Sequence, residues 1–193
     1  MSLAEKASAV GLVLNELDSQ IQQFQDWSHL HCKFGCGKCC FKPDIEATPL
    51  EFLPFAVEKC KSGEAEAWLD KLENLQDKQV CVILNPTQAG AGLCSEYPHR
   101  GLICRLFGYS ARTNKYDEKE LVTCAIIKTE QQQNYEIAQQ SVKSGSQIPL
   151  MSDYYLKLHY IDPNLANDFM PINQAIQKAL ELALQYFMYQ KGE

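Results

Sequence analysis

The stretch HCKFGCGKCC at residues 31–40 places Cys32, Cys36, Cys39 and Cys40 within nine positions, the last two adjacent. A metal centre needs ligands that converge with little backbone entropy to lose. Short Cys-x-x-Cys spacings do this, because a tight turn aims two sulfurs inward while backbone N–H groups face them. Cys36-Gly37-Lys38-Cys39 fits that pattern, and the glycines permit the positive φ that such a turn uses. Cys32 extends the run by one more spacer. Cys40 adds a fourth sulfur, and two neighbouring thiols point either to different sites or to a cluster larger than one ion. The total of nine cysteines is odd, so at least one thiol stands outside any fully paired disulfide scheme.

The N-terminal stretch carries Glu5, Lys6, Glu16 and Asp18 among its apolar residues, so it reads as neither a signal peptide nor a membrane segment. No window approaches the roughly 20 apolar residues of a membrane span. The expected compartment is the cytoplasm, where clustered cysteines serve as metal ligands or redox groups more often than as disulfides. The net charge of −6 leaves no excess of Lys and Arg to neutralise phosphates, which argues against nucleic acid as a partner.

Four further thiols lie downstream at Cys81, Cys94, Cys104 and Cys124. Taken singly, each reads as a small buried hydrophobe. Cys81 lies in the apolar run VCVILN, whereas Cys94 and Cys104 bracket SEYPHRGLI, with Tyr97 and Arg100 inside it and Arg105 just after. Cys60, between Lys59 and Lys61 late in a predicted helix, reads as an ordinary helix residue. Lys33, Lys38, Lys42, Arg100 and Arg105 lie close to the thiols in sequence. Cations there would lower thiolate pKa values and offset the charge of about −2 that four thiolates leave around a divalent ion. The histidines read as outer or surface groups: His29 and His31 flank Cys32, His99 lies in the Cys94–Cys104 loop, and His159 falls in a predicted helix.

The remainder reads mainly as helix. Leu3, Ala7, Val10, Leu14, Leu17, Ile21 and Phe24 recur in steps of three and four, predicting an amphipathic helix over residues 3–27. That stripe either packs on the core or offers a coiled-coil face to a partner. Thr48-Pro49-Leu50-Glu51 is a capping-box start for a helix to about residue 60, and another is expected over residues 64–75, divided from it near Gly63. Residues 80–85 predict a short strand turning at Asn85-Pro86, and residues 101–112 a second strand. Helices are expected over residues 129–142, 153–160 and 172–189, with a loop marked by Ser144, Gly145 and Pro149. The chain is 46% hydrophobic, enough to bury a core. The expected fold is mostly α, or α+β with one or two short strands. It would be a single domain over residues 1–193, with a cysteine core at 30–125 and helical flanks at 1–28 and 126–193.

CKFGCGKCC followed by CSEYPHRGLICRLFG resembles the YkgJ-like cysteine-cluster proteins, known as zinc- or iron-chelating domains. Their pattern is a Cys-x-x-(x)-Cys-x-x-Cys-Cys cluster, a cysteine before an apolar segment with Leu, then Cys-x-x-Tyr-x-x-Arg-Pro-x-x-Cys-Arg. The later elements match Cys81, Leu84, Cys94, Tyr97, Arg100, Cys104 and Arg105, and the resemblance covers about residues 30–125. Gly101 stands where the family usually has Pro, which is expected to loosen the loop. The resemblance implies metal chelation, and the expected ligands are Cys32, Cys36, Cys39, Cys40, Cys81, Cys94, Cys104 and Cys124. Bacterial flagellin lysine methylases resemble the same cysteine domain and are linked to an iron–sulfur cluster, but this chain is shorter and shows no Gly-rich loop after a strand to carry their activity over.

All-thiolate sites suit both zinc and iron–sulfur clusters. The glycine-bearing knuckle is familiar from structural zinc, and a compact run plus a remote cysteine from clusters. The adjacent pair and the surplus of thiols favour iron, most simply as an iron–sulfur cluster such as 4Fe-4S. The alternatives are a structural zinc module that binds a protein partner, and a metal-dependent enzyme in which Tyr97, Arg100 and Arg105 clamp an anionic substrate.

Overall fold

A computed structural model describes residues 1–76, 80–88 and 91–190. In chain order the elements are α1 (Leu3–Ser28), β1 (Glu46–Ala47), α2 (Leu53–Ser62), α3 (Ala65–Glu73), β2 (Leu84–Gln88), β3 (Ala91–Cys94), α4 (Leu102–Leu106), β4 (Ser110–Thr113), β5 (Lys119–Val122), α5 (Ala125–Glu130), α6 (Gln132–Lys143), α7 (Met151–Ile161), α8 (Pro163–Ala166), β6 (Met170–Pro171) and α9 (Ile172–Gln190). The fold is α+β and mostly helical, as expected. Its strands, among the described residues, form three antiparallel pairs, β1–β6, β2–β3 and β4–β5. No helix of the described residues is long and apolar enough to cross a membrane.

The chain divides into two compact units. The first contains Met1–Leu12, Gly35–Gly101 and Leu158–Glu193. Its core forms where α9 packs on α2, α3 and the short 3-10 turn Pro49–Phe52. Ala175, Ile176, Ala179, Leu180 and Ala183 recur at helical spacing on α9 and are fully buried, as are Leu53, Phe55 and Ala56 of α2. Each large apolar side chain removed from water in this way contributes about 1.5–3 kcal/mol before entropy is counted. The expected capping box is present: the Thr48 N–H donates to Glu51 Oε1 at 2.8 Å, with Pro49 in the first turn. Asp162 caps α8, its Oδ1 accepting from Asn164 N and Leu165 N at 3.0 Å each.

Two expectations in this unit are corrected. Residues 80–83 are not strand, because their polar groups are taken by tertiary partners. Asn173 of α9 binds Val80 and Val82, and Leu84 N closes a turn onto Cys81 O. The strand starts only at Leu84 and runs through Asn85-Pro86 to Gln88, which Pro86 tolerates because β2 is an edge strand. Gly101 is not a loosened position either. A Cβ there would lie 2.6 Å from Phe52 Cζ and 2.9 Å from Glu51 Oε2, both on buried residues, so the Phe52 ring fills the space that a larger residue would need.

The second unit contains Val13–Phe34 and Leu102–Lys157. Here α6 packs on the β4–β5 hairpin and on α5. Gln139 of α6 ties the hairpin, accepting from Leu121 N at 2.9 Å and donating to Lys119 O at 3.2 Å. The strand expected over residues 101–112 is helix α4 followed by β4. Leu102, Arg105 and Leu106 are buried at i, i+3 and i+4, a single turn of helical period too short to stand out in sequence. The helix expected over residues 129–142 is α5 plus α6, broken at Gln131, whose side chain binds the His31 backbone. The stripe of α1 is buried from Ala7 to Phe24, Ala7 and Val10 in the first unit and the rest in the second. It is core, not a coiled-coil face.

Candidate metal centre

In the first unit three pieces of backbone, hydrogen-bonded to one another, carry four of the thiols. The loop Gly35–Gly37 lies against β3, with Gly92 N donating to Gly35 O at 3.2 Å. Gly37 has φ 55°, and a Cβ on it would stand 2.7 Å from Gly92 O, so only glycine permits this approach. The 3-10 turn Lys38–Phe41 follows, carrying Cys39 and Cys40. Cys81 N then donates to Cys40 O at 3.2 Å, and the β2–β3 register sets Leu84 opposite Cys94. The Cys40 thiol hydrogen-bonds the Cys39 sulfur, the charge at Cys39 acts on both Cys81 and Cys94, and that at Cys94 acts on Cys81. Cys36 sits in the same loop, half-buried.

Backbone N–H groups face these sulfurs: those of Ile83 and Leu84 at Cys81, of Glu96 at Cys94, and of Cys39 and Cys40 at Cys39. Hydrogen bonding from Cys40 is the main cause holding the Cys39 thiol down to about 6, opposed by burial and helped by the backbone and Arg100. Burial pushes Cys81 up to about 11 and raises Cys94 as well. One sulfur thus ionises readily and two resist. A bound cation reverses that resistance, since it favours thiolates that burial alone disfavours. The donor set, N–H groups included, fits a thiophilic metal. Among the described residues no three cysteine sulfurs lie within 4.8 Å of one another.

Tyr97 and Arg100 flank this set. The Arg100 guanidinium stacks 3.6 Å from the Tyr97 ring centroid, Nε donates to Tyr97 O at 3.1 Å, and its charge acts on Cys39 and Cys94. The turn after Cys94 is anchored by residues that sequence reasoning passed over. Buried Lys59 of α2 reaches Glu96 at 3.0 Å, Glu64 at 2.9 Å and Glu58 at 3.3 Å. Burial opposes its charge, but the glutamates more than offset this and raise its pKa. Glu58, Glu96 and His99 offer ligand atoms within 4.8 Å of one another, yet the Lys59 ammonium already sits among these carboxylates. The only sequence signal for Lys59 was a basic residue on a buried helical turn.

Cys32, Cys104 and Cys124 belong to the second unit. Cys32 N donates to Tyr109 Oη at 2.6 Å. Cys104 is half-buried in α4. Cys124 caps α5, its sulfur accepting from Ile127 N at 3.4 Å. Arg105, also in this unit, is buried and ion-paired with Asp18 of α1. Cys60 lies in the last turn of α2, where burial raises its thiol pKa. His31 is clamped by Gln131, His99 binds Glu96, and His159 contacts Asn167.

No match was found among curated proteins or among solved structures. A family model does match, over residues 31–141, more than half of the chain and the span that holds all nine of its cysteines. On that match the chain belongs to the CxxCxxCC family, described as a "putative zinc- or iron-chelating domain".

Proposed function

We propose that the protein chelates iron, as an iron–sulfur cluster, through its clustered thiolates. The observation that carries the reading is that backbone hydrogen bonds tie the segments carrying Cys39, Cys40, Cys81 and Cys94 to one another in the first unit, with backbone N–H groups facing three of the sulfurs and Arg100 beside them. Cys36, in the loop that precedes Cys39, is a fifth thiol of the first unit, and Cys32, Cys104 and Cys124 are the proposed ligands within the second. When bound, a cluster supplies one-electron chemistry, and zinc in the same place supplies folding energy. The chain's own contribution is to hold the sulfurs in turns, donate N–H groups to them and offset their charge with Arg100. Iron is favoured over zinc because the Cys39–Cys40 pair and the eight thiols exceed what one tetrahedral ion takes up.

The test is purification without oxygen, followed by metal and acid-labile sulfide analysis and a visible spectrum. Iron with sulfide and brown absorption is the expected result. Colourless protein with stoichiometric zinc would move the reading to a structural zinc module. Cys39→Ser and Cys81→Ser should each lower bound metal per chain, whereas Cys60→Ser should not. Equal metal in all three variants overturns the ligand assignment.

A further inference from the structure

Outside the residues matched by the family model, one buried side chain reaches the candidate centre through the backbone. Asn173 lies in the first turn of α9 and is 9% exposed. Its Nδ2 donates to Val80 O at 2.8 Å and its Oδ1 accepts from Val82 N at 2.9 Å. These two bonds straddle Cys81. Two more complete the set, from Cys81 N to Cys40 O at 3.2 Å and from Leu84 N to Cys81 O at 3.0 Å. All four polar atoms of the two peptide groups flanking the Cys81 Cα are therefore engaged, two of them by one carboxamide.

We propose that Asn173 is a positioning residue for Cys81: by fixing both peptide planes around it, the carboxamide aims the sulfur at Cys39 and Cys94 for metal binding. This rests on Cys81 being a ligand. The chemistry selects asparagine. The site needs one donor and one acceptor on a short rigid plane; aspartate at neutral pH offers acceptors only, and leucine neither. Asparagine is also a poor helix former, so packing alone gives no reason for it in a buried turn of α9. Without it, Val82 N–H, on a residue 1% exposed, is left unpaired in the core. The same device recurs in the second unit, where the Gln131 carboxamide accepts from His31 N at 3.0 Å and donates to His31 O at 2.6 Å, next to Cys32.

The test uses the full chain stripped of metal and loaded with Co(II), whose thiolate charge-transfer bands report the number of bound sulfurs. Wild type, Cys81→Ser, Asn173→Ala and Asn173→Asp are compared, with helical circular dichroism as the control for folding. Cys81→Ser should lose about one quarter of the absorbance per cobalt, the share of one thiolate in four. Asn173→Ala should match that loss and leave Cys81 open to alkylation in the loaded protein, whereas wild type protects it. Asn173→Asp, which keeps the acceptor for Val82 N, should fall between, and it serves as the reading if Asn173→Ala does not fold. Wild-type bands and Cys81 protection in the folded Asn173 variants overturn the proposal. So does an unchanged spectrum in Cys81→Ser. A wild type without thiolate bands overturns the metal-site reading itself, and this inference with it.

Discussion

Replacing Gly37 by alanine, with Gly35→Ala as its control, separates a close backbone approach from simple loop conformation. Both glycines have positive φ, 55° and 70°. Alanine in that region costs about 1–2 kcal/mol, partly offset by about 0.4–1 kcal/mol from the reduced freedom of the unfolded chain. At Gly35 nothing lies within 4 Å of the added Cβ, so the cost should stop near 1 kcal/mol. At Gly37 the Cβ would meet Gly92 O at 2.7 Å and Gly92 N at 2.9 Å, backbone atoms that have no rotamer to escape into. Relief means lifting the loop off β3. That strains packing by about 1–3 kcal/mol and stretches the Gly92 N–H bond to Gly35 O, worth about 1 kcal/mol. Gly37→Ala should therefore cost about 2 kcal/mol more than Gly35→Ala. Because the same loop carries Cys39 and Cys40, the difference should appear as roughly thirtyfold weaker metal binding, read by competition with a chromogenic chelator. Equal affinity losses in the two variants would refute the argument that this loop must lie on β3 to bring its thiols to Cys81 and Cys94.

Lys59→Met removes the cation that Glu58, Glu64 and Glu96 share and that lies 5.8 Å from the Phe55 ring centroid and 5.9 Å from that of Trp68, while keeping an unbranched apolar chain in its place. Glu58 and Glu64 can turn to water, but Glu96, with 18% of its side chain exposed, loses its ammonium partner and keeps the His99 ring; urea unfolding should show a loss of about 2 kcal/mol, the scale of a charged hydrogen bond. At Asp162 burial works to raise the carboxyl pKa, but Lys6 and the N–H groups of Leu165 and Asn164 more than offset it, so the folded pKa lies below the ordinary range. A folded pKa depressed in this way gives stability that is present at neutral pH and lost as pH falls through and below the ordinary carboxylate range. Unfolding midpoints measured from pH 7 down to pH 3 should therefore fall more steeply for wild type than for Asp162→Asn, and parallel profiles would remove Asp162 from the acid response.

The helix with a long apolar stripe was legible because its period repeats through Val10, Leu14, Leu17, Ile21 and Phe24, and α1, α7 and α9 lie within two residues of their expected ranges, whereas α2 starts at Leu53, four residues late, because the capping box at Thr48 opens a 3-10 turn over Pro49–Phe52. The errors fall where one turn decides the outcome. Residues 102–106 show too few positions for a helical period to separate from a strand. Val80–Ile83 is β-branched and apolar, yet its hydrogen bonds go to Asn173 and to a local turn, and no local propensity reveals a partner 91 residues away. For the same reason Cys81, inside that apolar run, reads in sequence as a small buried hydrophobe, although its backbone is bound directly to Cys40. Arg105, marked by its place next to Cys104 as a counter-charge for thiolates, is buried and ion-paired with Asp18 within the second unit, a pairing 87 residues apart in sequence that no local pattern reveals.

The way the first unit holds its thiols has a thermodynamic consequence. In a small zinc module the metal replaces a core, and binding energy is folding energy. Here the turns carrying Cys81 and Cys94 hang from helices with a core of their own: Asn173 belongs to α9 and Lys59 to α2, and these helices bury Phe55, Ala56, Ile176, Ala179 and Leu180 completely. That apolar packing has no term for the metal. Removing the metal should therefore leave helical circular dichroism and cooperative melting in place, and change only the thiol-bearing segments at residues 35–41 and 80–100. Cysteine alkylation followed by mass spectrometry locates the change. On stripping, Cys39 should react first because its thiol is the acidic one, Cys81 and Cys94 should react more slowly because burial raises theirs, and Cys60 should keep its rate. Loss of helical signal in step with metal loss would refute this ordering and make the metal part of the core.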